Sequence, residues 1–300
     1  MAENIWAALS RELADATATA GKSVVAVHGR RHPSSGILWT SDSVVTANHA
    51  LRRDEDISVV IASGQSVAAR MIGRDPGTDL AVLRLQQPVP GDRAQWGDAS
   101  KLRIGELVLA VGRTWRGNIV SSSGVVSGLM GRWRTWRGGE LDQFIRPDLM
   151  LYPGFSGGPL VNSQGQIVGL NTAGLHRSGI TVPAATVTRV ATELLEKGRI
   201  ERPYLGLAMQ AVALPESLRA SLNLKASEGL LVAHVEPGSP AEKGGVLLGD
   251  VLVEIEGKPV PETDAVQEIL HTFKVGQAIE LKLVRGGALS TASLTLAARP

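Results

Sequence analysis

The sequence predicts a mainly β chain: a barrel or sandwich of many strands, followed by a smaller α+β unit. Three observations carry that prediction. Short apolar segments rich in Val and Thr recur from about residue 23, each closed by Gly, Pro, Asp or Ser. Glycine is abundant, at 34 of 300 residues, while aromatic residues make up only 4%. At Ala184 the hydrophobic period changes from that of strands to that of a helix, and a second set of elements follows. The length allows about two domains, and a chain that is 43% hydrophobic can bury a sizeable core.

Along the chain, residues 1–20, "MAENIWAALSRELADATATA", form an amphipathic helix: Ile5, Leu9 and Leu13 share a face, with Trp6 beside them. Glu3 stands where a leader peptide would be basic, and Arg11 and Glu12 interrupt the apolar stretch. A cytoplasmic location is therefore expected if Met1 is the native start. Residues 21–183 are the strand-rich domain. Its segments run from "SVVAVHG", "GILWT" and "SVVTANHAL" through "ISVVIASG", "VAARMIG", "DLAVLRL" and "LVLAVGR" to "IVSSSGVVSGL", "QFIRPD", "PLVN" and "IVGLNTAG". "VNSQGQIVGL" is a hairpin with its tip at residues 163–166. Residues 184–203 are a connecting helix and linker: Val187, Val190, Ala191, Leu194 and Leu195 lie on one helical face, and Gly198 is placed to cap it. Residues 204–300 are the second domain.

Composition excludes several functions. There is no cysteine, so disulfides, thiol catalysis and cysteine–zinc sites are out. A net charge of +2 makes nucleic acid an unlikely main partner. No apolar run approaches the ~18 residues of a membrane span. No nucleotide-binding loop and no HExxH-type metal spacing is present, so neither cofactor nor metal is expected.

The chemistry concentrates in "PGFSGGPLVN", residues 153–162, where one serine stands among glycines and prolines ahead of an apolar strand. A serine hydroxyl needs a base to take its proton, and the base needs a group to orient its ring. His49 ends the strand "VVTANHAL", Asp79 precedes the strand "LAVLRL", and Ser156 sits in the glycine turn. The chain order His, Asp, Ser is that of chymotrypsin-type enzymes. Asp75 reads as a turn residue, and His28, His32, His176, His234 and His271 as structural.

The first two hundred residues resemble the trypsin-like protease domain of the HtrA (high-temperature-requirement, Deg) family in "VVTANHAL", "DPGTDLAVLRL", "PGFSGGPLVN" and "IVGLNTA". The last hundred residues resemble that family's PDZ domain, most plainly in "EPGSPAEKGGVLLGDVLVEIEGKPV". The resemblance implies a trypsin-like double β-barrel followed by an α+β PDZ domain. It implies an ATP-independent endopeptidase of unfolded or damaged proteins, assembled as a homotrimer. By the same resemblance Ser156 is the nucleophile, His49 the general base and then acid, and Asp79 the group that orients it. The N–H groups of Gly154 and Ser156 would form the oxyanion hole. Leu151, Thr172, Ala173 and Gly174 would wall the substrate pocket. None is charged, so cleavage after small or medium aliphatic residues is expected.

The resemblance also makes "YLGL", Tyr204, Leu205, Gly206 and Leu207, the loop that binds peptide C-termini. The helix "DAVQEILHTF" would line the groove, with Val266, Ile269 and Leu270 as the candidates and the division between ligand-facing and core-facing among them left open. The chain departs from the family pattern in three places: Phe155 replaces a small polar residue, "GRTWRGNIV" lacks a Pro-Phe-Gly loop, and "GLMGRWRTWRGGELDQF" is rich in Arg and Trp. That last loop is read first as a surface loop braced by cation–π contacts. Its alternative is a nucleic-acid site, which would weaken steeply with salt. Phe155 keeps open a second reading of the whole chain, a catalytically silent PDZ-containing chaperone or scaffold.

Overall fold

The computed structural model describes residues 4–29, 34–52, 55–114, 116–176 and 178–298, so Glu3 and His32 lie outside the described residues. Two compact units divide the chain, Met1–Ile200 and Glu201–Pro300.

The first unit opens with α1 (Ile5–Gly21), whose N-cap Asn4 accepts from the Trp6 N–H at 3.0 Å. Only the C-terminal half of α1 docks: Leu13, Ala16 and Ala20 enter the core, while Ile5 and Trp6 stay exposed. The barrel strands follow. They are β1 (Val24–His28), β2 (Ser34–Thr40), β3 (Ser43–Ala47), β4 (Ile57–Val60), β5 (Ser66–Asp75) and β6 (Leu80–Leu85). They close in the order β1-β2-β3-β6-β5-β4.

The second barrel uses β7 (Leu107–Arg113), β8 (Ile119–Met130), β11 (Phe144–Asp148), β12 (Pro159–Asn162), β13 (Ile167–Thr172) and β14 (Ile180–Pro183). It closes as β11-β14-β13-β12-β7-β8. A small pair, β9 (Trp133–Arg134) and β10 (Glu140–Leu141), stands between β8 and β11. The tip between β12 and β13 falls at residues 163–166, where the turn signals placed it.

Ile37, Val45, Leu80 and Val82 of one barrel and Leu109, Val161, Leu170 and Ile180 of the other form one continuous apolar cluster. The seam between the barrels is therefore close-packed, and groups presented across it are held to fixed distances. Helix α2 (Ala184–Lys197) contributes Val187, Val190, Ala191 and Leu194 to the same cluster. It is thus part of the first unit's core as well as the route out of it. Gly198 ends it in the left-handed region (φ 74°), with its N–H on the Leu194 carbonyl at 2.9 Å.

The second unit holds β15 (Pro203–Tyr204), β16 (Leu207–Ala213), α3 (Glu216–Leu222), β17 (Glu228–Val235), α4 (Pro240–Lys243) and β18 (Val251–Ile255). It continues with β19 (Lys258–Pro259), α5 (Thr263–Leu270), β20 (Ala278–Arg285), β21 (Ala288–Thr295) and β22 (Ala297–Ala298). Its main sheet runs β16-β17-β18-β20-β21, so β16 is an end strand. Val266, Ile269 and Leu270 of α5 are all buried in the core with Leu230, Leu252 and Leu281. That corrects the expectation that these three line an open groove. Their i, i+3, i+4 spacing is the core-facing stripe of an amphipathic helix.

Candidate active site

Strand register brings His49 and Asp79 together. In the β3–β6 pair Ala47 stands opposite Leu80, so the residues just beyond, 48–49 and 79, must meet. The Asn48 N–H donates to the Asp79 carbonyl at 2.9 Å, and His49 occupies the short 3-10 turn Asn48–Ala50 that follows β3. Asp79 is a non-glycine residue in the left-handed region, φ 58°, a conformation Asp tolerates better than most. It sits in a tight turn built by Asp75, whose carboxylate accepts from the Gly77 N–H at 3.0 Å and the Thr78 hydroxyl at 2.8 Å.

Asp79 is fully buried, and three donors converge on its carboxylate. The His49 N–H donates to Oδ1 at 2.8 Å, and His49 Nδ1 lies 2.6 Å from Oδ2. The third donor is the Thr172 hydroxyl, also on Oδ2. A carboxylate can only accept, so Nδ1 carries the proton of that bond, which leaves Nε2 as the acceptor of the neutral ring. The His49 side chain is 28% exposed, so the ring is open to solvent on one side.

Ser156 comes from the other barrel, in the turn between β11 and β12. Its Oγ accepts from the Ala173 N–H at 3.3 Å. The turn is pinned from below: Phe155 N–H donates to the Tyr152 carbonyl at 3.0 Å, Gly157 N–H to Asn171 at 2.8 Å, and Gly158 N–H to Phe155 at 2.9 Å. Gly157 has φ 86°, and a Cβ there would lie 2.0 Å from the Ser35 carbonyl, so only glycine fits. Among the described residues the N–H groups of Gly154 and Ser156 have no acceptor. In a trans peptide the N–H opposes the C=O. The Phe155 carbonyl faces Gly158, so the Ser156 N–H points out of the turn.

Phe155 does not crowd these donors. Its ring is 3% exposed and packs toward Tyr152, with centroids 6.0 Å apart. Of the expected pocket residues, Leu151 and Gly174 are half-buried and Ala173 is exposed beside Ser156. Thr172 is a correction: it is fully buried with its hydroxyl on Asp79, so its side chain supports the acid and does not wall a pocket. A Cβ on Gly174 would stand 2.5 Å from Asp79 Oδ2 and 2.6 Å from His49 Nδ1, so this position must be bare. Sequence reasoning missed Ser35, whose N–H donates to the Ser156 carbonyl at 3.0 Å. A serine early in a strand carries no pattern that announces such a contact.

The Arg/Trp-rich segment lies against the Asp79 turn, the Thr135 hydroxyl donating to the Gly77 carbonyl at 2.7 Å. Arg137 stacks over the exposed Trp136 ring at 4.5 Å. Among the described residues no cluster of His, Asp or Glu is placed to hold a metal ion. None of their helices is long and apolar enough to cross a membrane.

In the second unit, Gly206 takes φ 81° and abuts Ser239, where a Cβ would lie 2.1 Å from the Ser239 Cβ. The Leu205 and Gly206 carbonyls accept from Ala241 at 2.9 Å and Glu236 at 2.8 Å, while their own N–H groups have no acceptor among the described residues. Leu205 is buried in the core, whereas Tyr204 and Leu207 are half-buried at the ends of β15 and β16.

Residues 34–170 match the trypsin-like peptidase domain family and residues 203–296 the PDZ domain family. The chain is 32% identical over 271 residues to the serine protease Do-like HtrA of Lactobacillus helveticus, covering 84% of this chain and 65% of that one. It is a homologue of the HtrA/DegP serine proteases. This HtrA homologue is also 32% identical, over 281 residues, to the serine protease Do-like HtrA of Bacillus subtilis (strain 168), covering 87% of this chain and 63% of that one. A probable periplasmic serine endoprotease, DegP-like, of Marinomonas sp. (strain MWYL1) matches at 32% over 276 residues, 89% of this chain and 57% of that one. The HtrA homologue thus spans 57–65% of the length of these curated relatives.

Among solved structures, the HtrA-type protease AlgW with a decapeptide superposes with a TM-score of 0.76 at 25% identity, over 96% of this chain and 98% of that one. The serine endoprotease from Yersinia pestis superposes with a TM-score of 0.74 at 26% identity, over the same shares of the two chains.

Proposed function

We propose that this HtrA homologue is an ATP-independent serine endopeptidase of unfolded or damaged proteins. The observation that carries the proposal is the buried Asp79 carboxylate holding His49 Nδ1 at 2.6 Å, across the seam from a serine turn with two unclaimed amide donors. Ser156 Oγ attacks the scissile carbonyl while His49 Nε2 takes its proton. The oxyanion is received by the Gly154 and Ser156 N–H groups. His49 then protonates the leaving amine, and water repeats the sequence on the acyl-enzyme. Each amide donor is worth about 3–4 kcal/mol to the transition state.

Leu151, Ala173 and Gly174 offer no counter-charge, so cleavage follows small or medium aliphatic residues. Digestion of unfolded casein tests both points at once. Wild type should hydrolyse it, Ser156→Ala should be slower by at least about 10⁴-fold, and aliphatic residues should precede the cut bonds. Equal rates would end the protease reading and leave the silent chaperone in its place. A Lys or Arg majority would end the pocket assignment.

In the PDZ unit, the free Leu205 and Gly206 N–H groups beside end strand β16 receive a peptide carboxylate, and the peptide extends the sheet. Exposed Ile5 and Trp6 on α1 join the contacts of a homotrimer, whose mass sedimentation would report. A monomer at micromolar concentration would refute it.

A further inference from the structure

Arg113, the last residue of β7, is 5% exposed, and its guanidinium meets main-chain carbonyls. Nε donates to Val24 at 2.6 Å, one terminal nitrogen to Gly117 at 2.5 Å and the other to Gly21 at 2.7 Å. No carboxylate pairs with it among the described residues. Burial draws its pKa below the ordinary guanidinium value, yet a guanidinium stays protonated in a protein. Gly21 is the last residue of α1, a helix with no basic residue in its own last turn. Arg113 supplies from the second barrel the cation that a helix C-terminus favours.

The same residue reaches the serine turn through its main chain. The Arg113 N–H donates to Ser35 Oγ at 2.9 Å, and that hydroxyl donates to the Gly154 carbonyl at 2.7 Å. The Ser35 N–H holds the Ser156 carbonyl at 3.0 Å, and its own carbonyl is held by the Thr46 hydroxyl at 2.6 Å. Ser35 thus grips the turn on both sides of the Phe155–Ser156 peptide. The Gly154 carbonyl lies in the Gly154–Phe155 peptide and the Ser156 carbonyl in the Ser156–Gly157 peptide, so the peptide that carries the Ser156 N–H is anchored on both flanks, and the one that carries the Gly154 N–H adjoins an anchored peptide on one.

We propose that Arg113 and Ser35 are positioning residues, tying the end of the N-terminal helix to the Gly154 carbonyl and holding the oxyanion-hole turn in its donor-outward form. Neither touches substrate. Their effect is exerted through the direction of the Gly154 and Ser156 N–H groups. The proposal rests on the serine-protease reading, and its test separates the two.

Ser35→Ala, Arg113→Met, the double variant and Arg113→Lys are compared with wild type. The readouts are kcat and KM on a peptide substrate, affinity for a peptide boronate that forms a tetrahedral adduct, and the thermal midpoint. Misaligned donors weaken the transition state, not the ground state. Ser35→Ala and Arg113→Met should each lower kcat about tenfold or more and weaken the boronate by the same factor, with KM changed by less than about threefold. The double variant should be scarcely worse than Ser35→Ala, because the Arg113 side chain acts on the turn only by placing its main-chain N–H on Ser35 Oγ, and that acceptor is already gone. Arg113→Lys, which keeps the charge but not the three-way fork, should fall between.

Wild-type kcat in Ser35→Ala, losses that multiply, or a lowered thermal midpoint with kcat and boronate affinity intact would each overturn the proposal. If Arg113→Met does not fold, Ser35→Ala and Arg113→Lys decide. A wild type inert toward both substrate and boronate would instead defeat the protease reading itself.

Discussion

Thr172 and Gly174 show how closely the Asp79 carboxylate is enclosed. The Thr172 hydroxyl donates to Oδ2, and the same oxygen of Thr172 accepts the Gly174 N–H at 2.9 Å. Thr172→Val keeps the volume and removes the donor. A hydrogen bond to a charged group contributes about 1.5–3 kcal/mol, so kcat/KM should fall about 10–100-fold if the bond acts mainly in the transition state. Steady-state kinetics beside a thermal melt check this, and an unchanged kcat/KM would remove Thr172 from the site. At this scale only the string around Ser156 is distinctive by itself; His49 and Asp79 were read together with it, from the chain order His, Asp, Ser and the family resemblance. Thr172 was placed on a pocket wall by the family resemblance alone. Only the packing of β13 across the seam turns its hydroxyl to Asp79. Ser35 and Arg113 had no local signal, since their contacts span 119 and 92 residues.

Individual elements were more legible than their partners. Strand segments, the hairpin tip and the Gly198 cap follow from local chemistry. The membership of α2 in the first core and the burial of Val266, Ile269 and Leu270 depend on which face meets which sheet. In the PDZ unit a buried carboxylate is paired across elements. Buried Asp250, just ahead of β18, accepts from Arg285 of β20 at 2.7 Å on each oxygen and from the Leu247 N–H at 2.7 Å. Burial pushes the Asp250 pKa up, but these hydrogen bonds and the Arg285 charge outweigh it, and the net shift is downward. The folded form therefore binds its proton less readily than the unfolded chain. The stability this contributes is present above the ordinary carboxylate pKa and is lost as pH falls through the lower folded value. Asp250→Asn should lower the thermal midpoint at neutral pH and flatten its decline in acid. Midpoints measured from neutral pH downward test this, and parallel curves for variant and wild type would contradict it.

For the whole molecule, the double barrel and the PDZ unit follow from strand spacing, the period change at Ala184 and the family motifs. The unit division at Ile200/Glu201 falls within the stretch read as a linker. The proposed role of the PDZ unit is to recruit chain ends through main-chain donors. A peptide with an apolar free C-terminus should bind the full chain, and amidating that terminus should cost at least about tenfold in affinity, since a charged hydrogen-bonding group is lost. Unchanged affinity would defeat the carboxylate-loop assignment. The central claim is that His49 and Asp79 activate Ser156 across the barrel seam, and intact-mass spectrometry after fluorophosphonate treatment tests it most directly. One adduct per chain is expected, mapped to Ser156 and absent from both Ser156→Ala and His49→Ala. No adduct on a folded wild type, or one that persists in Ser156→Ala, would contradict it.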